Sequence, residues 1–191
     1  MVGQARWAAI LAAMVLLGAC APAPVAPSAT ASPSPSAAPS MTVLVYFGNS
    51  VLDPGANDCA RVFAVTRTVP AGTDGLTPAL QELLAGPTPA EAAQGYHSWF
   101  SAATADALIS ARVSGSTSYV DLTDLRSTIP NASTSCGSAA LLAQLGTTAQ
   151  QAGMSPQVRY AIEGHPRTFW EWLQRGCDAG NDNCDPAPFS R

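Results

Sequence analysis

Hydrophobic and polar positions change period several times from Thr42 onward, and each change marks an element. Thr42–Phe47 is a β-branched and aromatic run and predicts a strand. Asn49–Asp58 holds Asp-Pro-Gly and Asn-Asp and predicts a loop. Arg61–Val69 predicts a second strand, with Phe63, Val65 and Val69 on one face and Arg67 interrupting that face. Leu76, Leu80, Leu83 and Leu84 follow helical spacing, so Leu76–Ala85 predicts a helix stopped by Gly86-Pro87. Residues 87–106 read as a long polar and aromatic connection. Leu108–Val113 and Thr117–Leu122 predict a hairpin around Ser114-Gly115-Ser116. Ser135–Gln151 predicts the second main helix, with Leu141, Leu145, Thr148 and Ala152 on one stripe. Gln157–Glu163 predicts the last strand and Arg167–Gln174 a short helix. The order β-β-α-β-β-α-β-α predicts an α/β (α+β) domain over residues 42–191, one mixed sheet packed by two main helices and a short C-terminal one.

The residues before this domain follow no core-forming pattern. Trp7–Leu17 is an apolar stretch of eleven residues behind Arg6, too short to span a bilayer. It runs into Leu17-Gly18-Ala19-Cys20, which resembles the lipobox of bacterial lipoproteins. The resemblance implies a signal peptide over residues 1–19, cleavage before Cys20 and a diacylglycerol on the Cys20 sulfur, an anchor to the outer face of the cytoplasmic membrane. Residues 20–41 hold six prolines among Ala, Ser and Thr and predict an extended spacer. Twenty such residues at ~3.1 Å each reach about 60 Å.

Charge narrows the partners. Nine cations, all Arg, stand against thirteen acids, giving −4. Losing residues 1–20 removes Arg6 and leaves eight against thirteen, or −5. An acidic chain lacks the clustered cations that nucleic acid requires, so no nucleic-acid partner is expected.

Five cysteines fit an exported chain. With Cys20 assigned to lipid, Cys59, Cys136, Cys177 and Cys184 make an even set, and two disulfides are expected. Four cysteines allow three pairings, and the sequence does not choose among them. Cys177–Cys184 would close a short loop of six intervening residues, and Cys59–Cys136 would clamp a strand entry to a helix start. A C-x2-C knuckle is missing, which argues against zinc.

Few side chains suggest chemistry. His97 and His165, the only histidines, fall in predicted loops. Pairing His97 with Cys136 as a nucleophile needs a free thiolate, which a disulfide denies. No G-x-S-x-G nucleophile elbow is present. Asp178, Asn181, Asp182, Asn183 and Asp185 form an oxygen-rich run without the EF-hand order, and the simpler reading is a solvated turn. No catalytic residue, metal or cofactor is expected. Two aromatic groups, Tyr96/Trp99/Phe100 and Phe169/Trp170/Trp172, either plug the core or present a contact surface. Trp170 and Trp172 diverge by about 160° on a helix, so one of them is expected to face solvent. Tyr96, Trp99, Trp170 and Trp172 are the candidate partner-binding residues. Arg67 needs a partner on its apolar face, either a carboxylate such as Asp121 or a loop carbonyl.

From Val43 to about Leu173 the chain resembles the GerMN domain, a sporulation and spore-germination module. The resemblance rests on VYF at 45–47, VTRTVP at 65–70, ALQELLAGPTPAE at 79–91 and GYHSWF at 95–100. It continues through SYVDL at 118–122, STSCGSAALLAQL at 133–145 and VRYAIEG at 158–164. It implies a compact module, often carried by lipoproteins or tethered proteins of the envelope, and it implies no catalytic residues. The expectation is a non-enzymatic envelope lipoprotein that contacts another envelope protein or a cell-wall polymer. The alternative is an envelope lipoprotein that binds a small molecule or glycan in an aromatic cleft.

Overall fold

A computed structural model describes residues 38–55, 57–72, 74–177 and 183–190. The expected signal peptide, Cys20 and most of the spacer lie outside these residues, as do Asp178, Asn181 and Asp182. The elements are β1 (Ser40–Asn49), β2 (Phe63–Pro70), α1 (Leu76–Ala85), α2 (Pro89–Ala93) and β3 (Tyr96–His97). They continue with β4 (Leu108–Ser114), β5 (Thr117–Leu122), α3 (Ser135–Gly153), β6 (Gln157–Ile162) and α4 (Pro166–Trp172).

The fold is α+β, and its strands divide into two three-stranded sheets, where the sequence suggested one. In the first, β1 lies between β2 and β3, antiparallel to both. β3 pairs only with Gly48 and Asn49. Further along that edge α3 takes over, and the Tyr46 N–H donates to Thr148 Oγ1 at 3.1 Å. A helix hydroxyl thereby satisfies a backbone donor that no strand reaches. With this edge occupied by β3 and α3, the remaining strands form a sheet of their own. There β4 and β5 make the expected hairpin, and α3 carries the chain across so that β6 runs parallel to β5.

Alternation along β1 buries Val43, Val45 and Phe47 and leaves Thr42 and Leu44 exposed. The α1 stripe Leu76, Leu80, Leu83 and Leu84 is buried against β1 and α3. Of the predicted α3 stripe, Leu141, Leu145 and Thr148 are buried and Ala152, at its end, is half-buried. The main apolar cluster joins Phe47, Leu80, Val120, Leu145, Ile162 and Phe169 and so serves both sheets, and a smaller one of Val43, Val69 and Ala79 lies between β1, β2 and α1.

The connection after α1 is more ordered than its composition suggests. Gly86 has φ 78°, and a Cβ there would lie 2.4 Å from the Phe100 carbonyl oxygen, so glycine alone fits. Thr88 and Glu91 form a capping box around Pro89 and start α2. The LAGPTPAE segment is therefore a helix stop followed by a helix start.

Arg67 reaches into this corner. Its Nη1 lies 3.2 Å from Glu82 Oε2, and its Nη2 donates to Glu91 Oε2 at 2.5 Å and to the Gly86 carbonyl at 3.2 Å. The carbonyl partner expected from sequence is present. The carboxylate is not Asp121, which accepts the Gly164 N–H at 2.8 Å. Glu82 and Glu91 lie on the two helices that flank Gly86, and the turn there brings both to β2.

The structure carries the pairing Cys59–Cys136 and Cys177–Cys184, with Cα separations of 5.3 and 5.5 Å. The C-terminal segment packs back on the hairpin: Phe189 meets the Tyr119 ring edge-on, and Arg112 lies over that ring while donating to the Pro188 carbonyl. Among the described residues no helix is long and apolar enough to cross a membrane.

Candidate functional site

The end of β1, the loop after it, the segment after β3 and the start of α3 converge on a cleft of about 460 Å³. That volume falls within the ~300–1,000 Å³ usual for small-molecule sites. Gly48 and Asn49 come from β1, Asp53, Asp58, Cys59 and Arg61 from the loop, and His97, Ser98 and Trp99 from β3 and its exit. Thr134, Cys136, Ala140 and Gln144 complete it from α3 and its N-cap. The Cys59–Cys136 bridge ties the loop to the first turn of α3.

Three sequence features shape these walls. Thr134 caps α3 by accepting the Gly137 N–H at 3.0 Å. Asn49, 3% exposed, accepts the Val51 and Leu52 N–H groups at 2.8 and 2.9 Å and donates to the Gln94 carbonyl at 3.2 Å. It thereby folds the chain out of β1. Gly48 sits opposite His97 in the β1–β3 pairing, and a Cβ there would lie 2.3 Å from the His97 ring. The imidazole therefore takes the space that a side chain at position 48 would need.

Charge at the cleft is largely self-compensated. Arg61 pairs with Asp53 at 3.6 Å and lies over the Phe63 ring at 5.5 Å. The Asp58 carboxylate accepts the Ala60 N–H at 2.9 Å. Ser98 Oγ accepts the Phe100 N–H at 3.0 Å and donates to Gln144 Oε1 at 2.5 Å.

The structure separates the four candidate aromatics. Trp99 forms part of the cleft wall, half-buried, while its neighbour Tyr96 packs against the core and does not line the cleft. Trp170 and Trp172 belong to another cluster. Phe169 there stacks on Tyr160 at 4.8 Å and meets both indoles edge-on, at 5.4 and 6.0 Å. Trp172 is buried at 8% exposure, while Trp170, on the other side of α4, is half-buried and packs against the core. Burial also pushes the Tyr160 phenol far above its ordinary range.

His97 lines the cleft beside the bridged cysteines, and His165 lines a second hollow with Asp121 and Glu163. Among the described residues no three His, Cys, Asp or Glu side chains are grouped to hold a metal ion. Of the oxygen-rich run, Asp185 accepts the Ala187 N–H at 2.9 Å.

Gln144 was not singled out by sequence. It falls three residues after Leu141 on the buried stripe of α3, and a carboxamide at such a position was the available signal.

Fold and site together define a small α+β module with a disulfide-braced cleft. The family model described as Germane, sporulation and spore germination, matches residues 44–168, from β1 into α4. The chain belongs to this Germane (GerMN) domain family. Neither the curated proteins nor the solved structures contain a significant match to it.

Proposed function

We propose that this protein is a lipid-anchored component of the cell envelope that acts by contact and not by catalysis. Acylated Cys20 fixes it to the outer face of the cytoplasmic membrane, and the Pro/Ala/Ser-rich spacer sets its reach. The module presents a surface to a neighbouring envelope protein or wall polymer, and tethering raises the effective concentration of that surface. The observation that carries this reading is the cleft, whose separate segments are joined by Cys59–Cys136 into a preformed recess. Both cysteines at its wall are bridged, so neither supplies the thiolate that a nucleophile beside His97 would need. Trp99 in the wall favours a second reading, a cleft that holds a small molecule or glycan.

The test is cross-linking of the protein in its native envelope, followed by mass spectrometry of the mature chain. Acylation at Cys20 and a partner joined to the module are expected. A mature chain that starts elsewhere, stays in the wash without detergent and turns over a substrate would contradict the proposal.

A further inference from the structure

Two buried carboxamides line the cleft, and they differ in one respect. Asn49 spends its oxygen on two backbone donors and its nitrogen on a carbonyl. Gln144 is also 3% exposed, yet only its oxygen is engaged, by Ser98. Its Nε2 donates to none of the described residues, although it lies in the cleft wall. The fully buried donors without a partner among the described residues are Arg67 Nε and the Trp170 and Trp172 Nε1 atoms, and Gln144 Nε2 is not one of them, so it is accessible from the cleft and left to donate to whatever occupies it.

Trp99 lies in the same cleft and supplies apolar surface. The cations argue against an anionic ligand, because Arg61 is already paired with Asp53, and Asp58 adds negative charge. The ligand that fits is uncharged, has a flat apolar face and carries acceptor oxygens at its edge. We propose that the cleft is a subsite for a neutral pyranose unit of a glycan, with the sugar face against Trp99 and an oxygen taking a hydrogen bond from Gln144 Nε2. The proposal rests on the contact function above and names the chemistry of what is contacted. His97, lying on Gly48, borders the same subsite and gives it a second polar edge.

The experiment titrates the full mature chain, disulfides intact and in detergent, with a neutral N-acetylated chito-oligosaccharide. Heat is measured by calorimetry, and the Gln144 side-chain amide is followed by NMR. Saturable binding with a shift of that amide is expected. Gln144→Glu keeps an acceptor for Ser98 but removes the donor, and affinity should fall at least tenfold with the circular dichroism unchanged. Ala140→Trp fills the cleft from α3 and should abolish binding, which keeps the test decisive if Gln144→Glu fails to fold. The subsite is overturned if the wild-type chain binds no neutral oligosaccharide. It is equally overturned if Ala140→Trp binds as the wild type does, or if the cleft takes a peptide in place of the sugar. Loss of the sugar result alongside an intact envelope cross-link leaves the contact function standing; loss of both removes both.

Discussion

Arg67 on β2 and Glu91 on α2 meet at 2.5 Å, and the Glu91 oxygen that receives the guanidinium also accepts the Thr88 N–H at 2.7 Å. One carboxylate oxygen thus closes the capping box of α2 and neutralises a cation on the apolar face of a strand. Both side chains are largely buried, at 13% and 14% exposure, so solvent screens the pair only weakly. Glu91→Ala is expected to lower stability by about 2–4 kcal/mol, and Thr88→Ala by about 1 kcal/mol. Denaturant unfolding measures both. A change below about 0.5 kcal/mol for Glu91→Ala would show that the pair does not hold this corner.

Gly86 makes a second, independent demand at the same corner. Ala there meets the Phe100 carbonyl oxygen and must hold φ at 78°. Gly86→Ala should cost roughly 2–4 kcal/mol in the same assay, more than the cost of positive φ alone. An unchanged midpoint would mean that the backbone relaxes freely.

The two disulfides should differ in weight. Cys59–Cys136 spans 77 positions and Cys177–Cys184 spans 7. Loop-closure entropy gives about 4 kcal/mol for the first and about 2 kcal/mol for the second. Paired Cys→Ser replacements, compared by thermal unfolding, check the order. Equal losses would contradict it.

Asp124 follows β5 and chelates its neighbour. Arg126 donates to both carboxylate oxygens, at 2.7–3.1 Å, and this holds the Asp124 pKa at about 2, below its ordinary 3.8. A depressed acid stabilises the fold above its unfolded pKa and loses that contribution as pH falls through the folded value. The contribution should therefore be complete above about pH 4 and fade toward pH 2. Carboxyl NMR should place the Asp124 midpoint near 2 in the native protein and higher in Arg126→Ala, where only the backbone N–H at position 126 still donates to the carboxylate. An unmoved midpoint would remove the pair from the acid response.

Local periodicity carried much of this fold. The ends of α1 were legible because a leucine stripe runs into Gly86-Pro87, and the hairpin was legible from two β-rich runs around Gly115. The helix α3 runs two residues beyond its predicted end, to Gly153, because Met154 adopts the left-handed cap. Five-residue α2 and two-residue β3 are too short to show a period, and both fall inside the stretch that reads as a connection. The split into two sheets depends on what covers the edge of β1, a tertiary fact that no strand pattern contains. Trp99 was legible as a candidate, but the cleft was not, since its walls come from segments joined only by folding and by Cys59–Cys136. Asp121 as the partner of Arg67 failed for the same reason.

The central claim is that this module works by being contacted at its cleft, and a photo-reactive residue at Ala140 tests it where the contact should occur. Irradiated in intact cells, that position is predicted to yield a discrete adduct with an envelope protein or wall glycan. The same probe at the exposed Met154 should yield far less of it. Equal yields at the two positions, or no adduct at Ala140, would contradict the account.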